Sequence, residues 1–204
     1  MSRKTNNPIQ HAKAAFKRHR GLLRATGALE LGIHPRTLYS MHKSGQLLRL
    51  GRGLYRLADL PQLGNPDLVS VALRVPKGVI CLISALAFHE LTTQIPHEIY
   101  IALPQRAKLP KLGSPPVRVF WYIRPAYGAG IERHKLDGVP VRIYSPEKTI
   151  ADCFKYRNKI GLDTALEALR LYRERGPVRV SEVMKYAAVC RVQKVMRPYL
   201  EALL

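Results

Sequence analysis

Glycine and proline cut the first sixty residues into segments that suit only a small helical unit closed by a hairpin. The punctuation falls at Gly21, Gly32, Pro35, Gly45, Gly51 and Gly53. From Ile9 to Arg20 the chain reads as a helix, with Ile9, Ala12 or Lys13, and Phe16 on one side and Gly21 as its stop. A second short helix fits Leu23 to Leu31, burying Leu23, Ala28 and Leu31 and leaving Arg24 outside. Gly32-Ile33-His34 makes a tight turn. A third helix starts at Pro35, whose fixed φ suits the first helical position. It runs to Lys43 and ends at Ser44-Gly45, where glycine takes the left-handed cap. Helix, glycine turn, helix is the helix-turn-helix pattern. Gln46–Leu50 and Leu54–Leu57 then read as two strands around a Gly51-Arg52-Gly53 tip. The expectation is a winged helix-turn-helix.

Charge points the same way. Lys and Arg total 34 against 14 acids, a formal net charge of +20. The first sixty residues hold 12 of those bases and two acids, Glu30 and Asp59; the remaining 144 hold 22 bases and 12 acids. A 47% hydrophobic content is too high for a disordered basic tail. The chain therefore folds and carries its charge on a surface, which attracts a polyanion. On the third helix Leu38 and Met41 or His42 face inward. Arg36, Thr37, Ser40 and Lys43 share the outer face, with Ser44 near its end. These side chains hydrogen-bond base edges or phosphates in a major groove that admits one helix. Arg36, on the first turn, suits bidentate contact with a guanine. Arg49, Arg52 and Arg56 on the wing suit phosphates or the minor groove. Tyr39 and Tyr55 donate to phosphate or simply pack. Double-stranded DNA is the expected partner.

The stretch Asp59–Pro66, with two prolines and a glycine, suits a domain boundary. The division expected is a winged helix over 1–60, a linker over 61–66 and a C-terminal domain over 67–204. In that domain Gly78–Ile83, Glu98–Leu103, Val117–Ile123 and Val139–Tyr144 read as strands, and Ser84 as the cap of a helix over Ala85–Leu91. Ser145-Pro146-Glu147 opens a helix continuing to Asn158, with Ile150, Cys153 and Phe154 inward. Its outer stripe, Lys148, Asp152, Lys155 and Lys159, predicts surface ion pairing and a basic surface of Lys148, Lys155 and Lys159. That surface extends a DNA track, meets an acidic partner, or is merely solvated; Arg191, Lys194 and Arg197 belong to the same question. Helices over Leu162–Arg173, Val180–Ala187 and Arg191–Leu203 complete the chain. The fold class expected is α+β, with a mixed α/β second domain and a helical end.

Several classes are set aside. Cys81, Cys153 and Cys190 are scattered in apolar surroundings with no CxxC or zinc spacing, which reads as reduced cysteines in the cytoplasm, with no metal and no cofactor. The basic start has no apolar core of a signal peptide behind it. The longest apolar run, Gly78 to Phe88, is far short of the ~20 residues of a membrane span. Glu147, Lys148 and Asp152 are the one tight acid–base cluster, but their spacing fits surface ion pairs better than a metal-gathering nuclease centre. His89 and His97 lack a partner at ligand spacing. No phosphate-cradling loop, nucleophile elbow or dinucleotide motif is present. The reading is a non-enzyme, against two alternatives: a nucleic-acid-cleaving enzyme targeted by a winged helix, and an RNA-binding regulatory protein.

Three N-terminal blocks, Gly32–Met41, Ser44–Leu47 and Leu50–Arg56, resemble the AbiEi antitoxins of type IV toxin–antitoxin systems, which act in phage defence. So do Leu82–His89, Leu91–Pro96 and Ile143–Tyr156, and the stretch in the second domain is the more specific because winged helices are shared by many regulators. The resemblance implies an antitoxin that represses its own operon through the winged helix. It also implies a C-terminal domain needed to counter a nucleotidyltransferase toxin encoded beside it, with or without a direct complex.

Overall fold

Asn7 caps the first helix, its side chain accepting from the Ile9 amide at 3.1 Å. That helix, α1 (Pro8–Arg18), begins on proline and buries Ala12, Ala15 and Phe16. The computed structural model describes residues 7–108, 110 and 112–203. Residues 1–6, part of the stretch read for a signal peptide, lie outside them. The chain divides into two compact units, Met1–Pro66 grouped with Leu112–Ser114, and Asp67–Lys111 with Pro115–Leu204.

In the first unit, α1 is followed by β1 (Leu22–Arg24), α2 (Ala25–Glu30), α3 (Pro35–Lys43), β2 (Leu47–Gly51) and β3 (Leu54–Leu57). The helix expected over 23–31 is split. Leu22, Leu23 and Arg24 are extended because β3 offers them an edge, pairing with Arg56, Tyr55 and Leu54 respectively. The sheet runs β1–β3–β2, antiparallel throughout, with an irregularity between Arg49 and Gly51. Phe16, Leu23, Ala28, Ile33, Leu38, Met41, Leu47 and Leu57 form one core. Full burial of each large side chain contributes about 1.5–3 kcal/mol.

The second unit starts with α4 (Pro66–Arg74), β4 (Val79–Ile80), α5 (Leu82–Phe88), β5 (Ile99–Pro104) and β6 (Val117–Tyr122). It continues with α6 (Arg124–Gly128), β7 (Ile131–Leu136), β8 (Val139–Tyr144), α7 (Pro146–Lys155) and α8 (Arg157–Ile160). It ends with α9 (Leu162–Glu174), α10 (Val180–Cys190) and α11 (Gln193–Leu203). The sheet order is β6–β5–β4–β8–β7. The β5–β6 and β4–β8 pairs are parallel and the other two antiparallel. The whole is α+β, as expected.

Local departures have local causes. Ser84 is not a cap: it lies inside α5, buried, its hydroxyl accepting from the Tyr100 amide at 2.9 Å. Strand β7, not expected from the sequence, is an edge strand carrying Glu132, Arg133, His134 and Lys135, charges of the kind that protect an open edge. Helix α7 does open on Ser145 and Pro146, with Ser145 accepting from the Lys148 amide. It packs against α5, α9, α10 and α11, so everything from Glu147 to Phe154 is buried.

Candidate nucleic-acid interface

Helix α3 is built to present one polar face. His34 caps it, Nδ1 accepting from the Arg36 amide at 3.2 Å, and Pro35 occupies the first turn. Leu38 and Met41 are buried in the core. Arg36, Ser40 and Lys43 are exposed and lie within one third of the helical circumference, given 100° per residue. Thr37 is half-buried at the flank of that face. Tyr39 lies beside it, on the flank opposite Thr37, at 68% exposure. The sequence left Tyr39 between packing and donating; its ring is outside, its hydroxyl available as a donor. Lys43 also lies in the last turn, where a cation is favoured by the helix dipole.

Two contacts fix α3 against the hairpin. The His42 Nδ1 lies 3.0 Å from the Leu47 carbonyl, and its ring meets Tyr55 edge-on at 6.2 Å. Ser44, at the helix end, is engaged locally, its hydroxyl donating to the Met41 carbonyl and accepting from the Gln46 amide group. The hairpin tip is held too, the Ala25 amide donating to the Gly53 carbonyl at 2.8 Å. Gly53 has φ +69°, the left-handed conformation that tight turns reserve for glycine. Arg52 at the tip is exposed, and so is Arg49, whose Nε donates to the Gly51 carbonyl at 3.3 Å. Arg24, beside the tip in the β1–β3 pairing, is exposed as well. The sequence places it on a helix, apart from the hairpin arginines Arg49 and Arg52.

Arg56 is a correction. The sequence set it with the phosphate-contacting arginines, but only 6% of it is exposed. Its guanidinium donates to the carbonyls of Leu60 and Pro61. Alternation along β3 turns Leu54 and Arg56 to one side, and there the arginine ties down the chain leaving the sheet.

In the second unit the expected basic surface loses Lys148. That side chain is fully buried, Nζ donating to Asp152 Oδ2 at 2.5 Å and lying over the rings of Tyr144 and Tyr122 at 4.1 and 5.0 Å. Asp152 is buried with it and accepts from the Cys190 thiol at 3.1 Å. Burial and the Asp152 charge push that thiol up to about 12. Lys155 is half-buried over Tyr122 and Tyr156, while Lys159 is exposed beside Phe120 and Tyr156. The stripe is thus a gradient from core to surface. Its physical reason is α10, which covers the side of α7 that periodicity assigned to solvent.

The acid–base cluster is likewise consumed internally. Glu147 accepts from the Tyr172 hydroxyl at 2.6 Å and pairs with Arg179. Burial raises its carboxyl, but the Tyr172 bond and the Arg179 charge hold it below the usual range. His89, buried enough to lower its affinity for a proton, lies 2.8 Å from the Tyr144 carbonyl. Among the described residues no group of three His, Cys, Asp or Glu is arranged to hold a metal. Among them, too, no helix is long and apolar enough to cross a membrane.

The crystal structure of the RV2827C protein from Mycobacterium tuberculosis is similar, with a TM-score of 0.57 at 13% identity over 98% of this chain and 83% of that one. At that identity the likeness speaks for the fold. No curated protein matches. Residues 12–58, from α1 to the end of β3, match the family described as transcriptional regulator, AbiEi antitoxin, and the resemblance drawn from the sequence is shown on this unit.

Proposed function

We propose that the chain is a DNA-binding antitoxin and autorepressor of a type IV toxin–antitoxin operon, working in the cytoplasm without chemistry of its own. The observation that carries this is the exposed face of α3, Arg36, Ser40 and Lys43 with Tyr39 at its edge, beside a hairpin whose Arg49 and Arg52 are also exposed. In this reading the first unit is a winged helix-turn-helix on its operator. Arg36, Thr37, Ser40 and Lys43 read base edges in the major groove, and Arg49 and Arg52 anchor the backbone. The second unit serves antitoxicity against a nucleotidyltransferase toxin, the role the sequence resemblance supports.

Affinity measured against salt tests the backbone role. Log K falls steeply with log salt, and Arg52→Ala flattens the slope by about one unit. Arg36→Ala instead relaxes preference for the operator by roughly 1–3 kcal/mol at one base pair. Equal losses on operator and random duplex for Arg36→Ala would remove its base-reading role. Structured RNA outcompeting duplex DNA at fixed salt would overturn the DNA reading as a whole.

A further inference from the structure

Strands β7 and β8 set two arginines directly opposite each other, Arg133 against Arg142. Facing pairs in an antiparallel ladder sit close enough that like charges destabilise the sheet. Among the described residues neither arginine belongs to an ion pair. The neighbouring Glu132 is engaged by His134 at 2.9 Å. Arg142 is held in place all the same. Its Nη1 donates to the Tyr127 hydroxyl at 3.1 Å and the Lys77 carbonyl at 3.4 Å, and its guanidinium lies over the Tyr127 ring at 5.5 Å. The Tyr127 hydroxyl itself donates to the Lys77 carbonyl, which fixes the ring. Both arginines line a groove of about 320 Å³ whose other walls are Ala72, Leu73, Pro76, Gly78, Val139 and Pro140.

We propose that this groove binds a small organic carboxylate, its charged end bridging Arg133 and Arg142 and its apolar body lying along Leu73, Pro76 and Val139. A carboxylate between two guanidinium groups accepts charge-assisted hydrogen bonds from both and cancels the repulsion between the facing arginines. Arg142, held by its tyrosine, needs little ordering on binding, so less of the interaction is lost to entropy. The apolar walls select against bare inorganic anions, which a chain of charge +20 otherwise attracts everywhere on its surface. The size falls at the lower end of small-molecule sites, roughly 300–1,000 Å³. The inference is independent of the DNA-binding reading.

The probe is hexanoate, titrated by calorimetry into the full chain at physiological salt, with acetate and hexanol in parallel. Saturable hexanoate binding is expected, at least tenfold tighter than either control, since acetate lacks the body and hexanol the charge. Arg133→Gln, at an exposed position, lowers hexanoate affinity tenfold or more. Arg133→Lys recovers only part of it, because an ammonium lacks the planar fork. Lys194→Gln on α11 removes the same formal charge elsewhere and leaves binding unchanged. Absence of hexanoate binding, equal binding of acetate, or equal losses in Arg133→Gln and Lys194→Gln would each overturn the proposal.

Discussion

Lys148 is a cation with no exposed surface, its charge answered by the Asp152 carboxylate and the faces of Tyr144 and Tyr122. The i, i+4 spacing to Asp152 is visible in the sequence and the pair does form, but inside the core rather than on the surface. Removing one partner from a buried pair strands a charge, so Asp152→Ala should cost about 3–5 kcal/mol in urea unfolding. The double change Lys148→Met with Asp152→Leu, which removes both charges, should land far closer to wild type or above it. A double variant as unstable as the single one would show that the pair is not what the site depends on. Arg56 divides structure from binding in the same way. Losing its bonds to the Leu60 and Pro61 carbonyls should cost about 1–3 kcal/mol of stability for Arg56→Ala. Its DNA salt slope should stay at the wild-type value, unlike that of Arg52→Ala. A slope reduced by about one unit would return Arg56 to the phosphate-contacting set. Neither burial was legible, because the position of a cation on a helix or strand does not say which side of that element the rest of the chain covers.

At the scale of elements, legibility followed periodicity and caps. Helix α3 was readable because proline starts it, glycine follows it, and a single apolar stripe of Leu38 and Met41 meets one core. The Ser145–Pro146 opening of α7 was readable for the same reason. Its outer face was not, since amphipathic reasoning assumes one wet side and α7 has neighbours on several. Short strand β1 escaped because its extended state is set by β3, a contact distant in sequence. Edge strand β7 pairs with β8 across the two-residue Asp137-Gly138 turn, a hairpin signal in itself, and escaped because its run of Glu132, Arg133, His134 and Lys135 hides the apolar alternation of a strand. The start of α7 also depends on a glycine outside it. Gly130 has φ +69°, and a Cβ there would stand 2.5 Å from Lys148 Cβ and 2.8 Å from its Cγ. The neighbour is the first part of a buried side chain, which has little freedom to yield. Gly130→Ala should therefore destabilise by about 1–3 kcal/mol or more, through both overpacking and backbone strain. Pairing it with Lys148→Ala should relieve the contact with Cγ, but neither the closer one with Cβ, which alanine keeps, nor the positive φ. Thermal unfolding of the two single variants and the double would measure that Cγ contact by their non-additivity.

For the whole molecule, the +20 charge makes acid the natural stress, and two groups give that stress a defined course. His89 takes up a proton less readily when folded than when unfolded, because its partial burial disfavours the charged ring. The unfolded chain therefore binds the extra proton first, and stability falls as pH drops through about 6.5, the ordinary histidine value. Glu147 has a depressed folded value, so its contribution is full above the ordinary glutamate pKa of about 4.3 and is lost as pH falls through the lower folded value. Each carboxylate neutralised also removes one of 14 negative charges from an already cationic chain, adding self-repulsion to the compact state. Urea unfolding midpoints at pH 7.5, 5.5, 4 and 3 should therefore decline in two stages. His89→Gln should flatten the first, and Glu147→Gln, already weaker at pH 7.5, the second. Raising salt should recover the part due to general repulsion and leave the steps of the buried groups in place, because buried interactions are screened much less than surface ones. A decline abolished entirely by salt would mean that net charge alone governs acid stability, and that neither His89 nor Glu147 contributes a step of its own.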